Sequence, residues 1–84
     1  RYNLGTFLHQ LERPQEAAVH LDAVVQTFPH VPSFRILLGY ALGQAGRPDQ
    51  ALEQFRQALK RDRRNKEARD GLTWAQALKK RTGR

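Results

Sequence analysis

Apolar residues recur along most of the chain at intervals of three and four, which is the spacing of one face of an α-helix. No stretch alternates apolar and polar residues with period two, so strands are not predicted. Pro14 and Pro48 suit the first turn of a helix, where the missing N–H costs nothing, and Gly46 suits a helix end. The pattern and these breaks predict five helices, over residues 1–11, 14–28, 33–45, 48–61 and 65–80.

The sequence also repeats itself at an interval of 34 residues. Two copies match over nearly their full length, and a third, partial copy follows them. The matched pairs include Arg1/Arg35, Leu4/Leu38, Gly5/Gly39, Leu8/Leu42, Pro14/Pro48, Ala17/Ala51 and, in the partial copy, Tyr40/Trp74. Each full copy contains two predicted helices with a break between them, so the repeating unit is a helical hairpin.

Gly5 and Gly39 occupy equivalent positions inside predicted helices. Glycine in a helix interior costs about 1 kcal/mol relative to alanine, which a helix tolerates where another helix must approach closely. We expect the approaching residues to be Ala17 and Ala51, the small residues of the second helix in each hairpin.

The Leu-Gly pair of each first helix, followed by Ala17 or Ala51, then Leu21 or Phe55, and the closing Pro29, resembles the tetratricopeptide repeat (TPR) family. The resemblance covers nearly the whole chain. It implies an all-α fold with five helices: a right-handed array of antiparallel helical hairpins, which is a TPR-like α-solenoid fragment. Residues 1–84 would then form one domain: a first repeat at 1–31 that lacks its opening residues, a second repeat at 32–65, a capping helix at 66–80 and a basic tail at 81–84.

The chain departs from the family pattern at several positions: Leu8 and Leu42 replace its Tyr, and Arg63 replaces the second closing proline. Arg1, Arg35 and Arg69 stand where the family has its opening Trp. In the third copy, Thr73 follows Leu72 where a glycine is expected. The last helix is therefore predicted to be a solvated cap and not the start of another hairpin.

The family resemblance further implies a binding site for a protein or peptide, in a concave groove lined by the first helix of each hairpin. The residues at groove-facing positions are Tyr2, Thr6, His9, Ile36, Tyr40, Gln44, Asp70 and Trp74, with Gln10, Ser33, Gly43, Glu67 and Ala77 beside them. The larger apolar members are expected to form a half-exposed stripe, which is typical of protein-binding hot spots. These members are Tyr2, Ile36, Tyr40 and Trp74. The alternative is that Tyr40 and Trp74 pack on each other and complete the core.

Some members of the family bind the C-terminal carboxylate of heat-shock chaperones through a clamp of Lys, Asn and Arg. The matching positions in this chain hold neither a cation nor an asparagine: they are Tyr2, Thr6, Leu37, Glu67 and Gly71. A chaperone-tail clamp is therefore not expected.

The net charge of +7 lies entirely in the second half of the chain, since residues 1–46 carry three basic and three acidic groups while 47–84 carry twelve and five. A basic patch is predicted at Arg56, Lys60, Arg61, Arg63, Arg64, Lys66 and Arg69. Such a patch favours RNA or an anionic surface as an alternative partner. Against nucleic acid, Asp62, Glu67 and Asp70 interrupt the run, and no aromatic residues are interleaved for base stacking.

Several classes of function are not expected from the composition. The sequence contains no Cys, and His9, His20 and His30 are too far apart for two ligands on one helical turn, so neither a metal nor another cofactor is predicted. Ser33, the only serine, follows Pro32 and is interpreted as a helix cap, not as a nucleophile. No apolar run approaches the roughly 20 residues that span a membrane. The sequence thus predicts a non-enzymatic interaction module within a larger scaffold or assembly protein, with a structural or self-associating repeat as a further alternative.

Overall fold

The structure, a computed structural model, describes residues 13–82 of the chain. This part contains four α-helices and no strand: α1 (Pro14–Thr27), α2 (Pro32–Gln44), α3 (Pro48–Arg61) and α4 (Lys66–Thr82). The all-helical prediction is confirmed, and these four helices correspond to the predicted segments 14–28, 33–45, 48–61 and 65–80. The helix predicted over residues 1–11 lies outside the described residues.

Three of the four helices begin at a proline, and the fourth begins after an asparagine cap. Pro14, Pro32 and Pro48 each occupy the first helical turn, where φ is already suitable and no N–H is missed. The helix predicted to start at Ser33 therefore starts at Pro32, and Ser33 is not a cap, because Val31 occupies the N-cap position. At α4, the Asn65 side chain does cap the helix, as it accepts a hydrogen bond from the backbone N–H of Ala68 at 2.9 Å.

The end of α2 depends on one glycine. Gly46 has φ of +83°, the left-handed conformation that glycine adopts without strain. Two hydrogen bonds satisfy the last carbonyl groups of the helix: Arg47 N–H donates to Leu42 O at 2.9 Å, and Gly46 N–H donates to Gly43 O at 3.1 Å. This pair of bonds is a Schellman motif, and it turns the chain sharply toward α3.

The second helix lies at the centre of the fold, where it packs against α1, α3 and α4. The last two helices run antiparallel, since Lys79 near the end of α4 pairs with Asp49 at the start of α3 at 2.7 Å. By contrast, α2 and α4 run parallel, because Trp74 lies against Gly43 and the carboxyl group of Asp70, one turn earlier, acts on Tyr40. First helices of consecutive hairpins therefore lie side by side.

The core is organised around Phe55, whose side chain is 0% exposed. Its ring lies between two glycines: a Cβ at Gly39 would be 2.7 Å from Phe55 Cζ, and a Cβ at Gly71 would be closer still to the ring. The side chain nearest to Gly39 is therefore that of Phe55, whereas the sequence led us to expect Ala51 there. Gly71 gives the same close approach on α4, although it stands two residues before the position where the repeat pattern expects a glycine.

Candidate functional site

The predicted groove residues are distributed differently from the expected half-exposed stripe. Tyr2, Thr6 and His9 lie outside the described residues. Ile36 and Tyr40 are buried, with 2% and 4% of their surfaces exposed, so the expectation that they are half-exposed is wrong. The physical reason is that α2 is surrounded by three helices, and positions that a two-helix hairpin would leave open are covered.

The remaining groove residues lie at or near the surface. Gln44 is exposed at the last residue of α2, Asp70 is exposed on α4, and Trp74 is half-buried on the same helix. Of the residues beside them, Glu67, Ala77 and Ser33 are exposed while Gly43 is buried.

An aromatic pair joins α2 to α4. The ring centroids of Tyr40 and Trp74 are 4.9 Å apart with an interplanar angle of 43°, and Tyr40 also meets Phe55 edge-on at 5.1 Å and 76°. The indole of Trp74 lies on Gly43, where a Cβ would be only 2.5 Å from two of its ring carbons. The alternative that Tyr40 and Trp74 pack on each other is thus confirmed, but Trp74 still keeps part of its surface in solvent.

Two carboxylates lie beside this aromatic pair. Glu67, Asp70 and Trp74 follow one another at intervals of three and four along α4, so they share one side of the helix. Burial raises the pKa of Tyr40 above its usual value of 10.0. The negative charge of Asp70 raises this pKa further, and that of Glu67 makes the smallest contribution. The hydroxyl of Tyr40 therefore stays protonated well into the alkaline range. We call the surface formed by Tyr40, Glu67, Asp70 and Trp74 the α2–α4 face.

The predicted basic patch is exposed over its whole length, but only part of it forms a concave surface. All seven of its residues are exposed. Lys60 and Arg61 line a cleft of about 270 Å³ between the end of α3 and the turn that joins α1 to α2. The other residues that line this basic cleft are Pro29, His30, Arg35 and Gln57.

Arg35 was not part of the predicted patch, although the structure places it in the cleft. Its guanidinium donates hydrogen bonds to Pro29 O at 3.3 Å and to Gln54 Oε1 at 3.1 Å. On the other side of the cleft, Arg61 donates to Nδ1 of His30. The signal available in the sequence was the repeat itself, since Arg35 stands at the position where the family pattern has its opening Trp.

A cavity of about 420 Å³ lies on the opposite side of α2 from the aromatic pair, between α1 and α3. Its apolar floor is formed by Leu38 and Leu42, which are already buried. The one large apolar side chain exposed at its rim is Val19. A partner placed there would remove little further apolar surface from water, so this cavity is a weaker candidate than the α2–α4 face.

The four helices, the prolines in the first turn of three of them and the 34-residue offset between α2 and α4 define a helical-hairpin repeat protein. A family model described as tetratricopeptide repeat matches residues 8–75, and the chain belongs to that family. No curated protein and no solved structure gives a significant match. None of the helices in the described part of the chain is long and apolar enough to cross a membrane.

Proposed function

We propose that this chain is a protein-binding module that holds a peptide or helix of a partner on the side formed by the first helices of its hairpins. The complete array would be right-handed, with a helix over residues 1–11 preceding α1, and Tyr2, Thr6 and His9 would extend the α2–α4 face into a concave groove. The module acts by binding and not by catalysis, as part of a larger scaffold or assembly protein. Tetratricopeptide repeats generally mediate protein–protein interactions, which supports this class of function.

One observation carries the proposal: Trp74 is partly exposed, yet its position is held firmly. Packing on Gly43 and on Tyr40 fixes the indole from two sides. A large aromatic side chain that is already ordered loses little entropy when a partner covers it, which is the property of an interface hot spot.

The test compares Trp74→Ala with Phe28→Ala, a control that also removes an exposed aromatic side chain from a ring pair, here with Phe34 at 5.9 Å. Each variant and the unaltered chain is used to capture proteins from a lysate at low and high salt. Bound proteins are identified by mass spectrometry, and unfolding is followed by circular dichroism. We expect a protein that is retained at high salt by the unaltered chain and by Phe28→Ala, and that is lost with Trp74→Ala.

The loss of stability in Trp74→Ala should be smaller than the roughly 3–5 kcal/mol of a fully buried aromatic residue, because the indole keeps part of its surface in solvent. Binding should therefore fall more than stability. If Trp74→Ala loses stability but still captures the same proteins, Trp74 acts only as a core residue, and the proposal is wrong.

A second candidate function is contact with RNA or another anionic surface through the basic stretch at 56–69. It is favoured by the basic cleft, where Arg35, Lys60 and Arg61 meet and no carboxylate is among the described lining residues. Lys60→Gln/Arg61→Gln should weaken binding of a single-stranded RNA oligonucleotide more than Arg56→Gln/Arg63→Gln, which removes the same charge outside the cleft. Equal losses in the two double variants would mean that only the bulk charge attracts RNA.

A further inference from the structure

The carboxylates of the α2–α4 face have no cationic partner within residues 13–82. Glu67 and Asp70 are exposed, and neither forms an ion pair within 4.0 Å in the part of the chain that the structure describes. The sequence has fifteen basic and only eight acidic residues, so cations are abundant. Lys66 and Arg69 are even neighbours of these carboxylates on α4, yet they do not pair with them.

The helix dipole explains only one of the two acidic residues. Glu67 lies in the first turn of α4, where the positive end of the dipole favours a negative side chain. Asp70 lies one turn further along, and the effect of the dipole falls off within the first turn. The dipole therefore does not account for the position of Asp70 beside the aromatic pair.

The hydroxyl group of Tyr40 supplies an independent observation at the same place. Its side chain is only 4% exposed, and its hydroxyl has no hydrogen-bond partner among residues 13–82. Every fully buried side-chain nitrogen or oxygen atom in that range does have one. The Tyr40 oxygen must therefore reach the surface, as an unpartnered polar atom in an otherwise buried side chain.

These groups together have the chemistry that binds an organic cation. Trp74 keeps part of its indole in solvent, and among aromatic side chains tryptophan attracts a cation most strongly. Asp70 stands one helical turn away, Glu67 continues the same side of α4, and the protonated hydroxyl of Tyr40 can accept a hydrogen bond from an N–H group. An aromatic face flanked by carboxylates is complementary to a guanidinium or ammonium group.

We infer that the α2–α4 face takes a lysine or arginine side chain of a partner peptide, placed over Trp74 and paired with Asp70 and Glu67. This inference rests on the proposed function, because it specifies the occupant of the same surface. The inferred partner is basic, whereas the net charge of +7 favours an acidic one, since a strongly basic chain attracts acidic partners. Local and overall electrostatics thus predict different peptides.

The experiment selects peptides from a random dodecapeptide library that lacks tryptophan, on the immobilised 84-residue chain at physiological salt. Affinities of the selected peptides are then measured from the fluorescence of Trp74, the only tryptophan in the sequence. The test variant is Glu67→Gln/Asp70→Asn. The matched control is Asp22→Asn/Glu53→Gln, which changes the net charge equally but alters two residues lining the cavity between α1 and α3. Circular dichroism checks that both variants fold.

We expect the selected peptides to be enriched in lysine and arginine. Their affinity should fall about tenfold in Glu67→Gln/Asp70→Asn, as expected for the loss of two partly exposed charge contacts, and should stay unchanged in the control. Selected peptides that are acidic or uncharged, or that bind the test variant as well as the unaltered chain, would overturn the inference while leaving the proposed function intact.

Two further outcomes would show that the binding surface or its occupant has been wrongly assigned. If the immobilised Trp74→Ala variant, which has no tryptophan fluorescence, still captures every selected peptide, the surface is not the site, and the proposed function fails together with the inference. If Trp74 fluorescence changes with the concentration of the chain alone, and sedimentation shows a dimer that Trp74→Ala disrupts, the occupant is a second copy and not a basic peptide.

Discussion

Replacing Gly39 by alanine tests whether the ring of Phe55 is held between two backbones. The new methyl carbon would lie 2.7 Å from Phe55 Cζ and 2.9 Å from each of the two Cε atoms. Carbon atoms in ordinary contact are about 3.5–4.0 Å apart, so the ring or the helix must move. The ring is fully buried and has Gly71 against it as well, so a shift away from one helix drives it into the other.

The expected change in the free energy of unfolding of Gly39→Ala is the sum of two opposing effects. Alanine gains about 1 kcal/mol over glycine in a helix interior. Overpacking a well-packed core costs about 1–3 kcal/mol, and the confined ring places this site at the upper end. The free energy of unfolding should therefore fall by about 2 kcal/mol, which lowers the melting temperature of a domain of this size by roughly 8–16 °C. Urea and thermal unfolding, followed by circular dichroism, measure both quantities.

Gly43→Ala is the matched control, because it lies one turn further along α2 and gains the same helix propensity. Its methyl group would meet the indole of Trp74 at 2.5 Å, but that ring is partly exposed and can move outward. We expect a smaller loss of stability than in Gly39→Ala, together with a shift in tryptophan emission as the indole moves. If Gly39→Ala proves as stable as Gly43→Ala, or more stable than the unaltered chain, the argument about the confined ring is refuted.

Three further predictions concern single interactions. Asn65→Ala should lower the free energy of unfolding by about 1 kcal/mol, because the N–H of Ala68 loses its cap; an unchanged urea midpoint would contradict this. Because the pKa of Tyr40 is raised in the fold, its protonated hydroxyl contributes stability that is fully present below pH 10.0. This contribution is lost as the pH rises through the raised pKa. The tyrosinate absorbance that Tyr40→Phe removes from the folded chain should therefore develop above pH 10.0; a difference signal with its midpoint at or below pH 10.0 would count against it. The exposed pair of Lys79 and Asp49 should show a coupling below about 1 kcal/mol in a double-mutant cycle, despite its 2.7 Å distance.

The helices were predictable from the sequence because their signals are local. Prolines fix φ at the start of α1, α2 and α3 whatever surrounds them, and Gly46 is required by the turn that it makes. The predicted bounds consequently agree with the structure to within two residues at every described helix end. The 34-residue repeat likewise predicted that Tyr40 and Trp74 occupy equivalent places on neighbouring helices, and the two rings are in contact.

Exposure and partners could not be predicted in the same way, because they depend on the helices that surround each residue. The apolar residues of α2 extend around most of the helix, and periodicity alone does not say whether a third helix covers Ile36 and Tyr40. The hydrogen bonds of Arg35 to Pro29 and Gln54 join segments up to 19 residues apart, and the confinement of Phe55 by Gly71 likewise depends on α4.

The position of Phe55 between Gly39 and Gly71 also bears on how the domain unfolds. Because one ring touches both α2 and α4, the last helix cannot detach without opening the centre of the preceding hairpin to water. In many repeat arrays the terminal element frays first, since each unit contacts only its neighbours. Here the amide hydrogens of α4 should exchange with solvent at rates close to those of α2 and α3, as members of one cooperative folding unit.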